Sequence, residues 1–320
     1  MSNERTGRVG DAGPAVEGPD CPHQRAPRIT VRRVNGESVL ADAVAAYRVA
    51  LGDRLLAAYA LGSLAHGGFR ELVSDVDLGL IVADPLGPGD SDTIEGVAAA
   101  EKAKDSVLHS RLSVFWGTPC TLRGEQGGGR FPPLDRLDLL ESGRLLAGSD
   151  DARRDLPRPT PAEVIVTGSE FALDYLAGVR SRTSPEGASL GSMRPAGEGA
   201  VEELRDPELL ARRGVPRVAK LVLFPVRFLY TATTGRVGTN DAAVDHYLER
   251  RIGPSADLVS AARGWRTGVP FEERAAVDLL SEQLVPLYIH YVEDHIARLR
   301  ALDRDGLATA FQEWRERLIA

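Results

Sequence analysis

Apolar and polar positions divide the chain into a first half that contains strands and a second half that does not. Apolar residues recur at helical spacing between residues 37 and 51, which predicts an amphipathic helix. Short apolar runs, typical of buried strands, then alternate with helical patterns. The predicted order is helix 37–51, strand 55–61, strand 76–82, helix 91–109, strand 111–116 and helix 135–147. This order indicates a layer of sheet and helices.

No strand-like alternation follows residue 160. Helices are predicted at 161–179, 207–234, 239–251, 255–265, 271–301 and 305–319. The intervening segment 181–200 is rich in Gly, Ser and Pro, and we expect a mobile loop there. The pattern therefore predicts an α+β fold, in which a mixed sheet with flanking helices is followed by an all-helical C-terminal domain.

Changes in composition suggest where the domains begin and end. Residues 1–27 are rich in Gly, Pro and charge without periodicity, so we expect a disordered tail. The polar, Pro-containing segment 149–160 is the predicted linker between the two halves. The first domain then spans 28–150 and the second spans 151–320.

Composition limits the possible classes of function. The 320 residues include 39 basic and 46 acidic side chains, for a net charge of −7, which argues against general binding of nucleic acid. No apolar run is long enough for a membrane span, and the N-terminus lacks the apolar stretch of a signal peptide. The sequence has only two cysteines, Cys21 and Cys120, which favours a reducing compartment. We therefore expect a cytoplasmic protein that does not associate with membranes.

The segment 61–82, LGSLAHGGFRELVSDVDLGLIV, contains the candidate chemistry. Asp75 and Asp77 alternate with apolar residues at the start of a predicted strand, so both carboxylates point to one face. Two carboxylates side by side repel each other unless a cation lies between them. Their hard oxygen atoms suit Mg²⁺.

A Gly-Ser pair precedes these carboxylates at the end of the previous strand. Gly62 leaves room for a close backbone approach, and the Ser63 hydroxyl, with the amides that open the next helix, can hold a phosphate. An Asp-x-Asp pair or a Gly-Ser turn alone is common by chance. The joint pattern favours a site for a Mg²⁺-bound triphosphate.

The same segment resembles the DNA polymerase β-like nucleotidyltransferase superfamily, whose signature is Gly-Ser, a spacer and Asp-x-Asp. The layout is most similar to the aminoglycoside adenylyltransferases that modify streptomycin and spectinomycin. Leu221–Asp241 and the segment 285–296 are similar to parts of that family's helical domain. The resemblance implies a nucleotidyltransferase domain at 28–150 and a helical substrate-binding domain at 151–320.

The resemblance also implies roles for individual residues. Ser63 would contact the nucleotide phosphates, Ser74 would support the metal site, and Asp75 and Asp77 would ligate Mg²⁺, or Mn²⁺ in its place. Arg227 would reach the phosphates, although an ordinary ion pair is the alternative interpretation. The implied reaction transfers AMP from ATP to a hydroxyl of a small molecule, with an aminoglycoside as the implied acceptor.

One position departs from the superfamily pattern. Its third carboxylate, a metal ligand or general base, falls at Ser113 in this chain. Serine is not a base at neutral pH, and the loss of a general base predicts slow catalysis or none. Acidic residues of the neighbouring helices are the candidates to replace this carboxylate: Glu101, Asp105, Asp135, Asp138 and Glu141. The alternative interpretation is that each of them is solvated or, for Asp135, that it is the N-cap of a helix.

The helical half departs as well. Asn240 stands where the streptomycin-modifying family has a lysine for nucleotide contact, and the basic segment at 201–220 would repel a polycationic acceptor. Two alternatives to a small-molecule nucleotidyltransferase stay open, the first of them because of Ser113. One is a degenerate nucleotidyltransferase that binds nucleotide or a partner without turnover. The other is an antitoxin-type enzyme that transfers AMP to protein.

Overall fold

The computed structural model describes residues 34–179, 200–250 and 252–320. The fold is α+β, as the sequence pattern predicts. The first half contains α1 (Gly36–Leu51), β1 (Leu55–Leu61), α2 (Gly62–Ala65), β2 (Val76–Val82), α3 (Asp90–Lys102), α4 (Val107–Ser110), β3 (Leu112–Gly117), α5 (Pro119–Leu122), α6 (Pro133–Glu141) and β4 (Arg144–Gly148). The tail predicted at 1–27 and the loop predicted within 181–200 lie outside the described residues, apart from residue 200 itself.

The described part of the second half is helical. It contains α7 (Pro161–Tyr175), α8 (Ala200–Arg205), α9 (Pro207–Arg212), α10 (Gly214–Thr234), α11 (Asn240–Glu249), α12 (Ala256–Arg266), α13 (Glu273–Ala301) and α14 (Asp305–Ile319). No described helix has the length and apolar character needed to cross a membrane.

The four strands form one mixed sheet in the order β3-β2-β1-β4. Strand β1 runs antiparallel to both β2 and β4, whereas β2 and β3 are parallel. The register places Asp77 between Leu61 of β1 and Ser113 of β3. The end of β1, the start of β2 and the start of β3 therefore meet at the same edge of the sheet.

The predicted helix 135–147 is wrong in its second part. Helix α6 ends at Glu141, and Arg144–Gly148 forms β4, which pairs with β1. Gly143 has its backbone packed against Leu139, where a side chain would collide, so the chain turns there. The leucines at 145 and 146 follow the apparent helical spacing, but pairing with the free side of β1 satisfies their backbone groups instead.

Two other predicted helices are each interrupted in the structure, so that each forms two shorter helices. The predicted helix 91–109 divides into α3 and α4, and Ser106 caps the second piece. The predicted helix 207–234 divides at Gly214, whose φ of +75° interrupts the helical path between α9 and α10. Both breaks occur beside residues that favour turns or caps over helix interiors.

The described residues between Val34 and Ala320 pack as one compact unit. Helices α1 and α3 cover one face of the sheet, where Val39, Tyr47 and Leu78 are fully buried, and a smaller cluster with Tyr59 and Leu139 lies on the other face. The helices after residue 160 surround a larger core of their own. Helix α10 packs against several of these helices and also reaches the edge of the sheet.

Candidate active site

A cavity of about 230 Å³ lies between the edge of the sheet and helix α10. Its walls come from distant parts of the sequence. The sheet side and α6 contribute Gly62, Ser63, His66, Ser74, Asp75, Asp77, Ser113, Asp135 and Asp138. The helical side contributes Thr167, Phe171, Lys220, Phe224, Arg227, Phe228, Thr231, Asn240 and Arg266, among others. All the residues singled out for phosphate or metal contact in the sequence thus line one cavity.

The Gly62 turn connects β1 to the single turn of α2. Gly62 has a φ of +58°, and a Cβ atom added there would collide with Asp77 Oδ2. Its N–H donates a hydrogen bond to Asp138 Oδ2 at 2.5 Å. Glycine is therefore required both for the left-handed backbone and for the space beside the carboxylate. Asp138 takes the Gly62 amide, and Ser63, the next residue of this turn, lines the cavity.

Asp75 and Asp77 flank Val76, the first residue of β2. Burial raises the pKa of Asp77 to about 7, with further contributions from Asp75 and Asp138, while Lys220 and Arg227 act in the opposite direction. Ser74 precedes the pair, is buried, and its Oγ accepts a hydrogen bond from the Arg70 amide at 3.0 Å. Ser74 thus fixes the loop that leads into the two carboxylates.

Lys220 is a charged residue of this cavity that the sequence did not single out. It extends from α10 and donates a hydrogen bond from Nζ to Asp75 Oδ2 at 2.8 Å. In the sequence, Lys220 ends the basic segment 201–220, for which the only predicted effect is repulsion of a polycationic acceptor. A signal existed, since Lys220 precedes Arg227 by seven residues, or about two helical turns, and so shares its helix face.

Arg227 lies on α10, the same helix as Lys220, and faces the carboxylates across the cavity. Its Nε donates to the Gly238 carbonyl at 2.6 Å, which fixes the guanidinium against the turn after α10. Burial lowers its pKa, whereas Asp138, Asp77, Asp135 and Asp75, in decreasing order, act to raise it. The side chain therefore balances charge for a whole cluster of carboxylates rather than for a single partner.

Asp135 and Asp138 lie on α6, one turn apart, and both face the cavity. The N-cap of α6 is Pro132, so the expectation that Asp135 caps this helix is wrong. Burial raises the pKa of Asp135 well above its ordinary value, and Asp77 and Asp138 add to the rise. Burial also raises the pKa of Asp138, against the opposing hydrogen bond from Gly62 and the charge of His66.

The other acidic candidates lie elsewhere. Glu101 pairs with Lys104 at 2.6 Å, and Asp105 is exposed. Glu141 accepts a hydrogen bond from the Val237 amide at 3.1 Å and pairs with Arg158, so it joins α6 to the turn after α10. Ser113, at the position of the missing third carboxylate, is buried beside Asp77.

The residues present fit a Mg²⁺ ion bound together with a nucleotide. Within the described residues, no group of three or more His, Cys, Asp or Glu side chains is arranged to hold a metal. Two carboxylates do lie together, and the ammonium group of Lys220 on Asp75 shows that a cation is accommodated there. Mg²⁺ is commonly held by one or two carboxylates, with substrate phosphates and water completing its shell.

Comparison with known proteins gives a distant structural likeness. No family model and no curated protein matches the chain. A crystal structure of spectinomycin adenyltransferase AAD(9) from Enterococcus faecialis with ATP and spectinomycin matches with a TM-score of 0.46 and 15% sequence identity. The match covers 78% of this chain and 99% of that one.

Proposed function

We propose that the protein is a Mg²⁺-dependent nucleotidyltransferase that moves AMP from ATP to a hydroxyl group of a small molecule. One observation carries the proposal: Asp75, Asp77 and the Gly62-Ser63 turn face Lys220 and Arg227 across a single cavity. A triphosphate needs cationic partners for its oxygen atoms, and its metal needs anionic ones. This cavity offers both.

Asp75 and Asp77 are the residues that would hold Mg²⁺, or Mn²⁺ in its place. When bound, the ion would neutralise charge on the triphosphate. Ser63 offers a hydroxyl to a phosphate oxygen, and Arg227 offers a planar guanidinium that is already oriented by Gly238. Ser74 acts on the loop before Asp75 rather than on the nucleotide.

The acceptor hydroxyl has to lose a proton as it attacks the α-phosphorus and pyrophosphate leaves. Ser113 is unsuited to accept that proton, and Asp138 already accepts a hydrogen bond from Gly62. Asp135 faces the same cavity from the first turn of α6. We assign to Asp135 the role of proton acceptor, because burial raises the pKa of its carboxyl well above the ordinary value, against the smaller opposing effects of Arg130 and Arg227.

The acceptor implied by the sequence resemblance is an aminoglycoside, and it is the first class to test. The described lining residues from the helical half include Phe171, Phe224, Lys220 and Arg266, and none of them is a carboxylate. Ammonium groups of an acceptor would therefore depend on α6 and the sheet edge for anionic partners. Uncharged hydroxyl compounds belong in the same screen for that reason.

Ser113 favours one second candidate, a nucleotide-binding protein without turnover. The two functions share the nucleotide site and differ in chemistry, since only the enzyme releases pyrophosphate. Calorimetric titration with each Mg²⁺-nucleoside triphosphate tests the shared site. An acceptor panel of streptomycin, spectinomycin and neutral polyols, scored by pyrophosphate release, then separates the two.

The control for the titration is the double variant Asp75→Ala/Asp77→Ala. We expect ATP to bind only with Mg²⁺ and the double variant not to bind. Failure of all four triphosphates to bind to the wild-type protein would refute the proposed function. Binding without pyrophosphate release from any acceptor would support the non-catalytic alternative.

A further inference from the structure

The ion pair between Lys220 and Asp75 places an ammonium group on a candidate metal ligand. The 2.8 Å contact joins Lys220 Nζ to Asp75 Oδ2, and the two side chains are 23% and 28% exposed. Nζ also lies 5.9 Å from the ring centre of Tyr175 and 6.0 Å from that of Phe224. The ammonium is therefore held at this position by a carboxylate and two aromatic rings.

The backbone beneath Lys220 is firmly placed. Next to it, the Leu221 carbonyl accepts a hydrogen bond from Tyr288 Oη at 2.8 Å, inside the helical core. Arg217, one turn earlier, is engaged by Glu203 and by the Tyr175 hydroxyl. Movement of Lys220 is thus limited to its flexible four-carbon stem, and Arg217 is not free to take its place.

A divalent ion and the ammonium group compete for the same oxygen atom of Asp75. Without a nucleotide, an entering metal would leave Lys220 beside a like charge with no new anion to bind. A triphosphate supplies that anion, because its oxygen atoms are strong acceptors for a lysine ammonium. The competition is therefore relieved only when the nucleotide arrives with the metal.

Resting on the function proposed above, we propose that Lys220 exchanges partners during substrate binding. It occupies Asp75 in the nucleotide-free protein, and it passes to the triphosphate when the metal takes Asp75. Metal and nucleotide then bind cooperatively, and removal of the ammonium affects the two ligands in opposite directions.

The test uses two binding titrations of the full chain with Lys220→Met. Free Mn²⁺ is measured by electron paramagnetic resonance without nucleotide, and α,β-methylene-ATP is titrated by calorimetry in excess Mg²⁺. We expect Lys220→Met to bind Mn²⁺ about tenfold more tightly and the ATP analogue about tenfold more weakly, as for the loss of a hydrogen bond between charged groups.

Two variants serve as controls. Lys104→Met removes a lysine of similar kind that pairs with Glu101 at 2.6 Å outside the cavity, and it should change neither affinity. Lys220→Arg keeps the positive charge and should keep Mn²⁺ binding weak. Thermal melting of each variant checks that the fold is retained.

The outcomes are distinguishable. Weaker Mn²⁺ binding by Lys220→Met would mean that Lys220 only holds Asp75 in place, and would overturn the inference. Unchanged affinities, or a change in only one of the two, would overturn it as well. If the wild-type protein does not bind the Mg²⁺-nucleotide analogue at all, the proposed function itself fails. If the wild-type protein binds the Mg²⁺-nucleotide analogue and Lys220→Met has the same affinities as the wild type, only the inference about Lys220 fails.

Discussion

The two walls of the cavity differ in charge and in the way the chain builds them. On the sheet wall, Asp75 and Asp77 lie within three residues of sequence, and the two-residue period of a strand brings them together. On the helix wall, Lys220 and Arg227 lie two turns apart on α10, about 150 residues later. The Asp75–Asp77 pair is thus a local product of the sequence, whereas Lys220 and Arg227 face it only after the two halves pack.

The difference has an energetic side. Asp75 and Asp138 raise the pKa of Asp77, and Asp77 and Asp138 raise that of Asp135, so this wall carries unfavourable repulsion. Arg227 and Lys220 offset that repulsion from the opposite wall. The helical half is therefore part of the electrostatics of the cavity.

Removal of one sheet-wall charge should have the largest effect. We expect Asp77→Asn to lower kcat/KM for AMP transfer by about 10³-fold, because charge neutralisation at the reacting phosphate is worth several kcal/mol. Steady-state kinetics with the best acceptor measures it. Asp53→Asn, an exposed position of the same residue type, is the control and should match the wild type. A much smaller decrease of kcat/KM in Asp77→Asn would contradict the proposal that the sheet wall holds the metal ion.

Substitution of Asp135 tests whether α6 contributes a proton acceptor to the reaction or only negative charge to the cavity. Asp135→Asn should lower kcat by about 10²-fold, the lower end for loss of a general base, with little change in the affinity for Mg²⁺-ATP. The measurement is kcat together with a calorimetric Kd. Asp105→Asn, exposed on the surface, serves as control. Full activity of Asp135→Asn would assign the proton transfer elsewhere.

Gly62→Ala perturbs the sheet wall through its backbone. The left-handed φ of +58° should cost about 1–2 kcal/mol of unfolding free energy, and the added Cβ should displace Asp77 and weaken Mg²⁺-ATP binding. Urea unfolding and calorimetry provide the two readouts. Gly52→Ala has a similar φ of +52° with open space around the new Cβ, so it should lose stability without losing affinity. Equal binding by both variants would contradict the role of Gly62.

The smallest effect is expected from an acidic residue of the helical half that lies outside the cavity. Burial favours a higher pKa for Asp294, but hydrogen bonds and charges from His295 and Arg298 outweigh it and lower this pKa to about 2. A depressed carboxylate pKa stabilises the fold above about pH 4 and ceases to do so as the pH falls through 2.

Asp294→Asn should therefore cost about 1 kcal/mol of unfolding free energy at pH 7, a value reduced for its partial exposure. The difference from the wild type should shrink as the pH drops below 4, and AMP transfer should be unaffected. Urea unfolding at pH 7 and pH 3 measures the change. Asp278→Asn, exposed on the same helix, is the control. A loss of AMP transfer activity in Asp294→Asn would contradict the expectation that Asp294 contributes to stability alone.

Local pattern was enough to predict most of the fold. Strands β1, β2 and β3 and the helical second half follow from apolar periodicity over short windows. The exception, β4, carries leucines whose spacing also suits a helix. Its identity depends on the open edge of β1, which is a long-range property that no window of sequence contains.

Local sequence alone specifies the Gly62-Ser63 turn and the Asp75–Asp77 pair, since these four residues lie in one short segment with strand periodicity. Tertiary structure decided the rest: the contact of Lys220 with Asp75, the Gly62 hydrogen bond to Asp138, and the position of Asp135 in the cavity wall. Charges from separate segments act strongly on each other when they lie a few ångströms apart and are poorly solvated, because little water then screens them. Packing alone sets those distances.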